Sequence, residues 1–334
     1  MERIVKPSRR ALIRAAAVAA ALAPAGIVAG RVLAQGRPKK IKLSWNANAV
    51  CLAPVVVGVH QGIFQRHGID VELINYSGST DQLLEAIATG KADAGVGMAL
   101  RWLKPLEQGF DVKLTAGTHG GCMRVLAPKG KGIARLEDLR GKTVAVSDMA
   151  SPSKNFFSIV LKKRGIDPVT DIQWRQFPAD LLGLAIEKGE AQALADGDPV
   201  AFIQERKFGL TEIASNLSDE YQNRVCCVLG VRGSLVRDDK PTAAALTRAL
   251  LEAAQVTGHN PDLAAEIFSR YAAASAADLS TMLKSQTHNH NPVGGDLKRE
   301  IIAYTEELKL VSVIKPSTDP GKFADKIYAD VLTS

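Results

Sequence analysis

The chain has little of several things. Aromatic residues make up 5% of its 334 residues and cysteines number four. No Gly-x-Ser-x-Gly elbow, no His-Glu-x-x-His pair, no P-loop and no paired-carboxylate motif is present, which removes the common sequence signatures of hydrolases, zinc proteases and NTPases. Cys51, Cys122, Cys226 and Cys227 show no C-x-x-C or C-x-x-H spacing, so a closed zinc site is not expected, and no metal or cofactor is predicted. Charge of one sign is also scarce once the N-terminus is set aside. Residues 1–34 carry six basic groups and one acid, which leaves about +2 of the formal +7 for the rest. That balance argues against a nucleic-acid partner. A mean hydropathy of zero excludes a polytopic membrane protein.

The N-terminus reads as an address. Ser8-Arg9-Arg10-Ala11-Leu12-Ile13-Arg14 is a twin-arginine pattern, followed by an Ala/Gly-rich apolar run from Ala15 to Gly30. That run is short for a membrane span, and Val32-Leu33-Ala34 offers a cleavage site after about Ala34. The expectation is an exported, periplasmic protein that crosses after folding. Export permits disulfides. Adjacent Cys226 and Cys227 would face opposite sides of a strand, so at most one of them could bridge Cys122; buried free thiols are the expected reading and a disulfide the alternative.

Beyond the leader the pattern alternates strand and helix. Ile41–Trp45 reads as a strand, Leu52–His67 as a helix stopped by Gly68, and Val71–Ile74 as a strand. Thr80–Thr89 reads as a helix and Ala92–Met98 as a buried strand. Two landmarks then recur. Arg66-His67-Gly68-Ile69-Asp70 returns as Lys163-Arg164-Gly165-Ile166-Asp167, and Ile87-x-x-Gly90-x-Ala92-x-Ala94 returns as Ile186-x-x-Gly189-x-Ala191-x-Ala193. An offset near 98 residues suits two similar α/β lobes. After a strand at Arg224–Val231, four helices are expected: Pro241–Thr257, Pro261–Ala273, Ala277–Ser285 and Asp296–Leu308. Such a tail must pack on something, and the first lobe is the economical choice. The chain then crosses twice between lobes, near Leu126–Pro128 and Arg224–Val228, and two crossings make a hinge under a closing cleft.

These residues carry a resemblance. Leu52-Ala53-Pro54-Val55-Val56-Val57-Gly58-Val59-His60-Gln61-Gly62-Ile63-Phe64, Gly68–Leu73, Leu84–Gly95 and Leu136–Val146 resemble segments of solute-binding proteins of ABC importers for nitrate, sulfonate, taurine and thiamine precursors. Asp196-Gly197-Asp198-Pro199 sits where many members have an acid and Pro. The resemblance implies an α/β periplasmic-binding-protein type II fold: two doubly wound lobes, a two-stranded hinge, and a helical C-terminal tail on lobe 1. Residues 35–126 and 227–334 would form lobe 1 and 127–226 lobe 2. It implies a monomer without catalysis, capturing a small polar or anionic solute and delivering it to a permease and its ATPase. Pyrimidine-precursor synthases share the fold and give an enzyme alternative, or binding of a pyrimidine-type amine; Cys226-Cys227 and His119 only faintly match their denser cysteine motifs. A receptor feeding a sensor kinase is a third reading.

Doubly wound sheets bind guests beyond the carboxyl ends of their strands. That rule selects Trp45 and Asn46 after the first strand, Ser79 and Thr80 at the next helix start, and Met98 after the third strand. In the second lobe it selects Ser151, Ser153, Asp196 and Asp198. Loops with hydroxyls at a helix N-terminus suit an anion, and Ser79, Thr80 and Asp198 have helix capping as the competing role. His119 and Cys122 are placed at the cleft border by Thr118-His119-Gly120-Gly121-Cys122, whose glycines would let backbone approach a guest. A soft metal on His119, Cys122, His288 and His290 has no spacing to support it. Trp45 and Trp102 fit the core at least as well as a stacking role.

Overall fold

The computed structural model describes residues 37–47, 49–76, 80–288 and 290–333. The twin-arginine and cleavage reading falls outside them. Among them no helix is long and apolar enough to cross a membrane.

Ten strands form two five-stranded sheets. The first five are β1 (Lys39–Trp45), β2 (Ile69–Asn75), β3 (Ala94–Met98), β4 (Val112–His119) and β5 (Met123–Pro128). The others are β6 (Lys142–Val146), β7 (Ile172–Gln176), β8 (Ala193–Gly197), β9 (Leu210–Ser215) and β10 (Cys227–Arg232). One sheet has the order β2-β1-β3-β10-β4 and the other β7-β6-β8-β5-β9. The two orders are the same pattern, which is what the repeated landmarks implied. In each sheet the fourth position is filled by a strand that enters from the other half and runs antiparallel to its neighbours.

The helices of the first half are α1 (Ala53–His60), α2 (Ile63–Arg66), α3 (Thr80–Ala88) and α4 (Ala99–Glu107). Those over the second sheet are α5 (Pro152–Lys163), α6 (Leu182–Glu187) and α7 (Val200–Phe208). The tail holds α8 (Gly233–Asp238), α9 (Lys240–His259), α10 (Pro261–Phe268), α11 (Ala276–Ser285), α12 (Gly294–Leu310) and α13 (Pro320–Ile327). The helix expected over Leu52–His67 is broken at Gly62, which takes φ 63° and sets α2 off at a new angle. The landmark glycines Gly68, Gly90, Gly165 and Gly189 all have φ between 72° and 76°, a left-handed turn that ends each helix before the next strand.

The tail packs where it was expected. Helices α9 and α10 lie on α1, and α13 reaches β4. Helix α12 also touches α5 of the other half. The core is continuous between the halves, with a smaller apolar cluster around Leu126, Leu182, Leu194 and Ala201 under α6 and α7. Trp102 is fully buried and lies flat against glycines: a Cβ on Gly97 would come within 2.1 Å of its ring and one on Gly230 within 2.8 Å.

The chain crosses between the sheets at Gly120–Cys122 and again between Ser215 and Cys227. The first crossing precedes the expected Leu126–Pro128, because β5 pairs with β8 and β9 already from Met123 and Arg124 onward. Strand β10 starts at Cys227, not Arg224. Arg224 and Val225 instead face α12, where Glu300 and Glu307 accept from the Arg224 guanidinium and the Tyr304 hydroxyl donates to the Val225 carbonyl.

Candidate functional site

The topology sets two edges against each other. Strand β4 leaves the first sheet at its carboxyl edge, and β5 enters the second sheet at the same kind of edge; β9 and β10 repeat this in reverse. Both crossings therefore join the carboxyl edges, where guests bind in such sheets. Contacts between the two halves hold the edges together. The Val50 N–H donates to the Asp198 carbonyl at 3.1 Å, and the Asn155 amide donates to the Leu100 carbonyl at 3.1 Å. Arg101 on α4 holds Asp81 of its own half at 2.5 Å and Asp148 of the other half at 2.9 Å. Its side chain is 10% exposed, so these pairs are only weakly screened.

The residues selected from the sequence separate into two groups. Trp45, the last residue of β1, is 2% exposed and its Nε1 has no hydrogen-bond partner. Its ring meets Tyr271 edge-on, with centroids 5.2 Å apart. Asp196 on β8 accepts from the Gly197 N–H through one carboxylate oxygen, while its buried Oδ2 has no partner. Burial pushes the Asp196 carboxyl above its ordinary range, against the hydrogen bonds from Ser147 and Gly197. His119, at the end of β4, is 4% exposed and both its ring nitrogens lack a hydrogen bond of ordinary geometry. Unpartnered polar atoms are rare in a folded interior, and these three residues all lie at strand ends on the facing edges.

The second group is used by the fold itself. Asp198 is buried and paired with Arg124 at 3.0 Å, and it accepts from the Phe202 N–H to cap α7. Arg124 also holds Glu212 at 2.5 Å. Burial outweighs this pairing and raises the Asp198 carboxyl to about 6. Ser151 caps α5 by accepting from the Lys154 N–H at 3.1 Å, and Ser153 is buried in that first turn. The Asp148 carboxylate accepts from the Ala150 N–H. The second lobe's expected anion grip is thus occupied by its own side chains at two backbone amides. Asn46 and Met98 are buried at the ends of β1 and β3. Ser79 lies outside the described residues, as does the side chain of Thr80, which begins α3.

The Gly120-Gly121 pair has a different cause from the one expected. A Cβ on Gly120 would meet Thr287 at 2.7 Å and one on Gly121 would meet Asn216 at 2.2 Å. What approaches these glycines is protein. His288 and His290 are also elsewhere: His288 contacts the Leu283 carbonyl at 2.6 Å, and His290 pairs with Glu300 at 3.0 Å. His290 instead lines an open groove of about 540 Å³ beside α12, together with Arg224, Asn291 and Arg299.

All four cysteines are buried free thiols gathered near the crossings. Cys51 and Cys227 have their sulfurs 3.0 Å apart. The Cys51 thiol is raised to about 11, first by its hydrogen bond with Cys122. The Cys226 thiol is lowered to about 6, first by its hydrogen bond with Cys122. Sequence reasoning had no means of finding this cluster, the Arg101 bridge or the Trp45–Tyr271 contact, since their members are up to 226 positions apart. Only the lone Arg101 within the apolar run Met98–Leu103 signalled a buried charge in need of partners.

No curated protein sequence matches the chain. The periplasmic aliphatic sulphonate binding protein of Escherichia coli has a similar structure, with TM-score 0.73, 15% identity, and coverage of 88% of this chain and 93% of that one. The alkanesulfonate-binding protein of Xanthomonas axonopodis pv. citri, bound to MOPS, gives 0.71, 17%, 88% and 99%. The periplasmic nitrate-binding protein of Synechocystis PCC 6803 gives 0.70, 15%, 88% and 87%. At these identities the likeness is one of fold, a periplasmic-binding-protein type II architecture. The NMT1/THI5-like family model matches residues 50–264, well over half of the sequence, and the chain belongs to that family.

Proposed function

We propose that this chain is the solute-binding component of an ABC importer, working in the periplasm and handing a small polar solute to a membrane permease. The carrying observation is the pair of buried, unpartnered polar atoms on the facing edges, Trp45 Nε1 and Asp196 Oδ2. They are a donor and an acceptor that lack a hydrogen bond of ordinary geometry within the protein. The moving bodies in this reading are the chain up to the crossing at Gly120–Cys122 together with 227–334, and the stretch from that crossing to residue 226. The bodies close over the guest, and the Arg101–Asp148 bridge holds them shut. The three similar structures are those of binding proteins, which supports capture over catalysis. The chain would act as a monomer, exported by the twin-arginine route and cut after about Ala34.

The solute class follows from charge. Arg101 and Arg124 are each held by two carboxylates, and two backbone amides beside the start of α5, those of Ala150 and Lys154, have side-chain acceptors. A buried carboxylate at Asp196 opposes a nearby oxyanion and accepts from an N–H. These features favour an amine-bearing planar solute of the pyrimidine type over nitrate or a simple sulfonate. Calorimetric titration of the full chain with an aminopyrimidine, taurine, an alkanesulfonate and nitrate tests this. Saturable binding of the aminopyrimidine is expected, weakened roughly 10–100-fold in Asp196→Ala. Tighter binding of nitrate or sulfonate overturns the solute class. Absence of saturable binding to all four, or turnover of any, overturns the importer reading.

A further inference from the structure

Three chain segments bring metal-binding atoms to one point. Cys51 sits in the single 3-10 turn Val50–Leu52 that follows β1. His119 ends β4, and Cys227 opens β10 directly opposite it in the antiparallel register. The Cys226 N–H donates to the His119 carbonyl at 2.9 Å, which fixes the second crossing against the first. A sulfur of Cys51, a sulfur of Cys227 and a ring nitrogen of His119 all lie within 4.8 Å of one another, and all three residues are buried. Neither His119 nitrogen has another hydrogen-bond partner. The Cys122 thiol hydrogen-bonds with Cys51 at the margin of this cluster.

The dimensions suit a small thiophilic ion. Bonds of about 2.3 Å to sulfur and about 2.0 Å to nitrogen place tetrahedral ligand atoms about 3.3–3.8 Å apart. The 3.0 Å between the Cys51 and Cys227 sulfurs and the 4.8 Å bound on all three atoms bracket that range, so side-chain rotation brings them to it. The charge also balances: two thiolates and a neutral imidazole around a divalent ion give a buried site with no net charge. Sulfur with one imidazole selects zinc or monovalent copper over magnesium or calcium.

We propose that Cys51, His119 and Cys227 form a three-ligand binding site for a thiophilic d10 cation, Zn(II) or Cu(I). Uptake of Zn(II) breaks the S–H bonds of Cys51 and Cys227, forms two Zn–S bonds and releases two protons, with no change of oxidation state. The ion ties the loop after β1 to both crossings at the floor of the cleft. It does not depend on any solute, so this site and the importer reading stand or fall separately.

The test uses the full chain purified under reductant and freed of metal by a chelator. It is titrated with Zn(II) against a chromophoric competitor and, in a separate arm, with Cu(I) held by bathocuproine, with no solute present. One equivalent should bind in at least one arm; in the zinc arm about two protons should be released per ion at a pH below the thiol range. Cys51→Ser and Cys227→Ser should each weaken binding by more than about 100-fold, beyond the loss usual for an outer-shell residue. Cys226→Ser should weaken it by less than tenfold. Circular dichroism of the metal-free variants checks the fold, and the metal-dependent rise in melting temperature should vanish in Cys51→Ser and Cys227→Ser alone. Absence of stoichiometric uptake in both arms overturns the site. So does an exported chain that carries a Cys51–Cys227 disulfide and no metal by native mass spectrometry.

Discussion

Asp198 shows how a single residue was half legible. Its place before Pro199 at a helix start announced a cap, and it does accept from the Phe202 N–H. Its ion pair with Arg124, 74 positions away, left no trace in the sequence. The burial that accompanies the pair has a measurable consequence. The folded carboxyl keeps its proton up to a pH of about 6, whereas the unfolded chain releases it near 3.8. Between those values the folded state binds more protons, so this contribution is complete below pH 3.8 and is lost as pH rises through 6. Urea unfolding of the wild type and Asp198→Asn from pH 3.5 to 7 should give curves whose separation shifts by about 3 kcal/mol, toward the wild type at the acid end. A constant separation contradicts the assignment. A second residue-scale test concerns Gly97, where a Cβ would lie 2.1 Å from Trp102. Gly97→Ala should cost about 3 kcal/mol or more in urea unfolding, because neither the strand nor the indole has room to move.

At the scale of elements, the alternation of strand and helix was readable where an apolar strand follows a turn glycine, as β2 follows Gly68 and β3 follows Gly90. The interruption at Gly62 was not, since the apolar spacing of α1 runs on into α2 and hides the kink. Helix α12 illustrates the same limit. Its apolar face identified it as a tail helix, but its polar side acts as a clamp. The buried Glu307 accepts from Lys163 on α5 at 2.7 Å and from Arg224 in the second crossing at 3.2 Å. The Arg224 guanidinium lies 4.2 Å from the Tyr304 ring centre. Glu307→Ala leaves both cations without this partner and should destabilise the fold by about 3 kcal/mol in denaturant unfolding, whereas Glu306→Ala, on an exposed side chain, should change it by less than about 0.5 kcal/mol. Equal effects would remove the clamp from the account.

For the whole molecule, the decisive feature is how the halves are held. Asp148→Asn removes the charge that faces Arg101 while preserving an acceptor for the Ala150 N–H and leaving the Arg101–Asp81 pair intact. The closed form should lose about 1–2 kcal/mol. Fluorescence transfer between dyes on α2 and α6 should then report a larger open fraction, and solute release should quicken. An unchanged open fraction would mean that the bridge does not govern closure.

The sequence by itself determined the repeated plan of strands and helices, and it selected the carboxyl-edge loops as the place to look for a guest. Each of these rests on local periodicity, on turn glycines at positive φ, or on the rule that ligands gather at the carboxyl ends of parallel strands. Tertiary structure alone decided which polar groups are consumed by the fold and which are left over. Ser151 and Asp198 went to caps and ion pairs; Trp45 and Asp196 kept unsatisfied atoms; Cys51 and Cys227, 176 positions apart, met beside His119. The reason is physical: a side chain's chemistry is set by what lies within a few ångströms of it, and in a chain that crosses twice between two sheets those neighbours come from distant parts of the sequence.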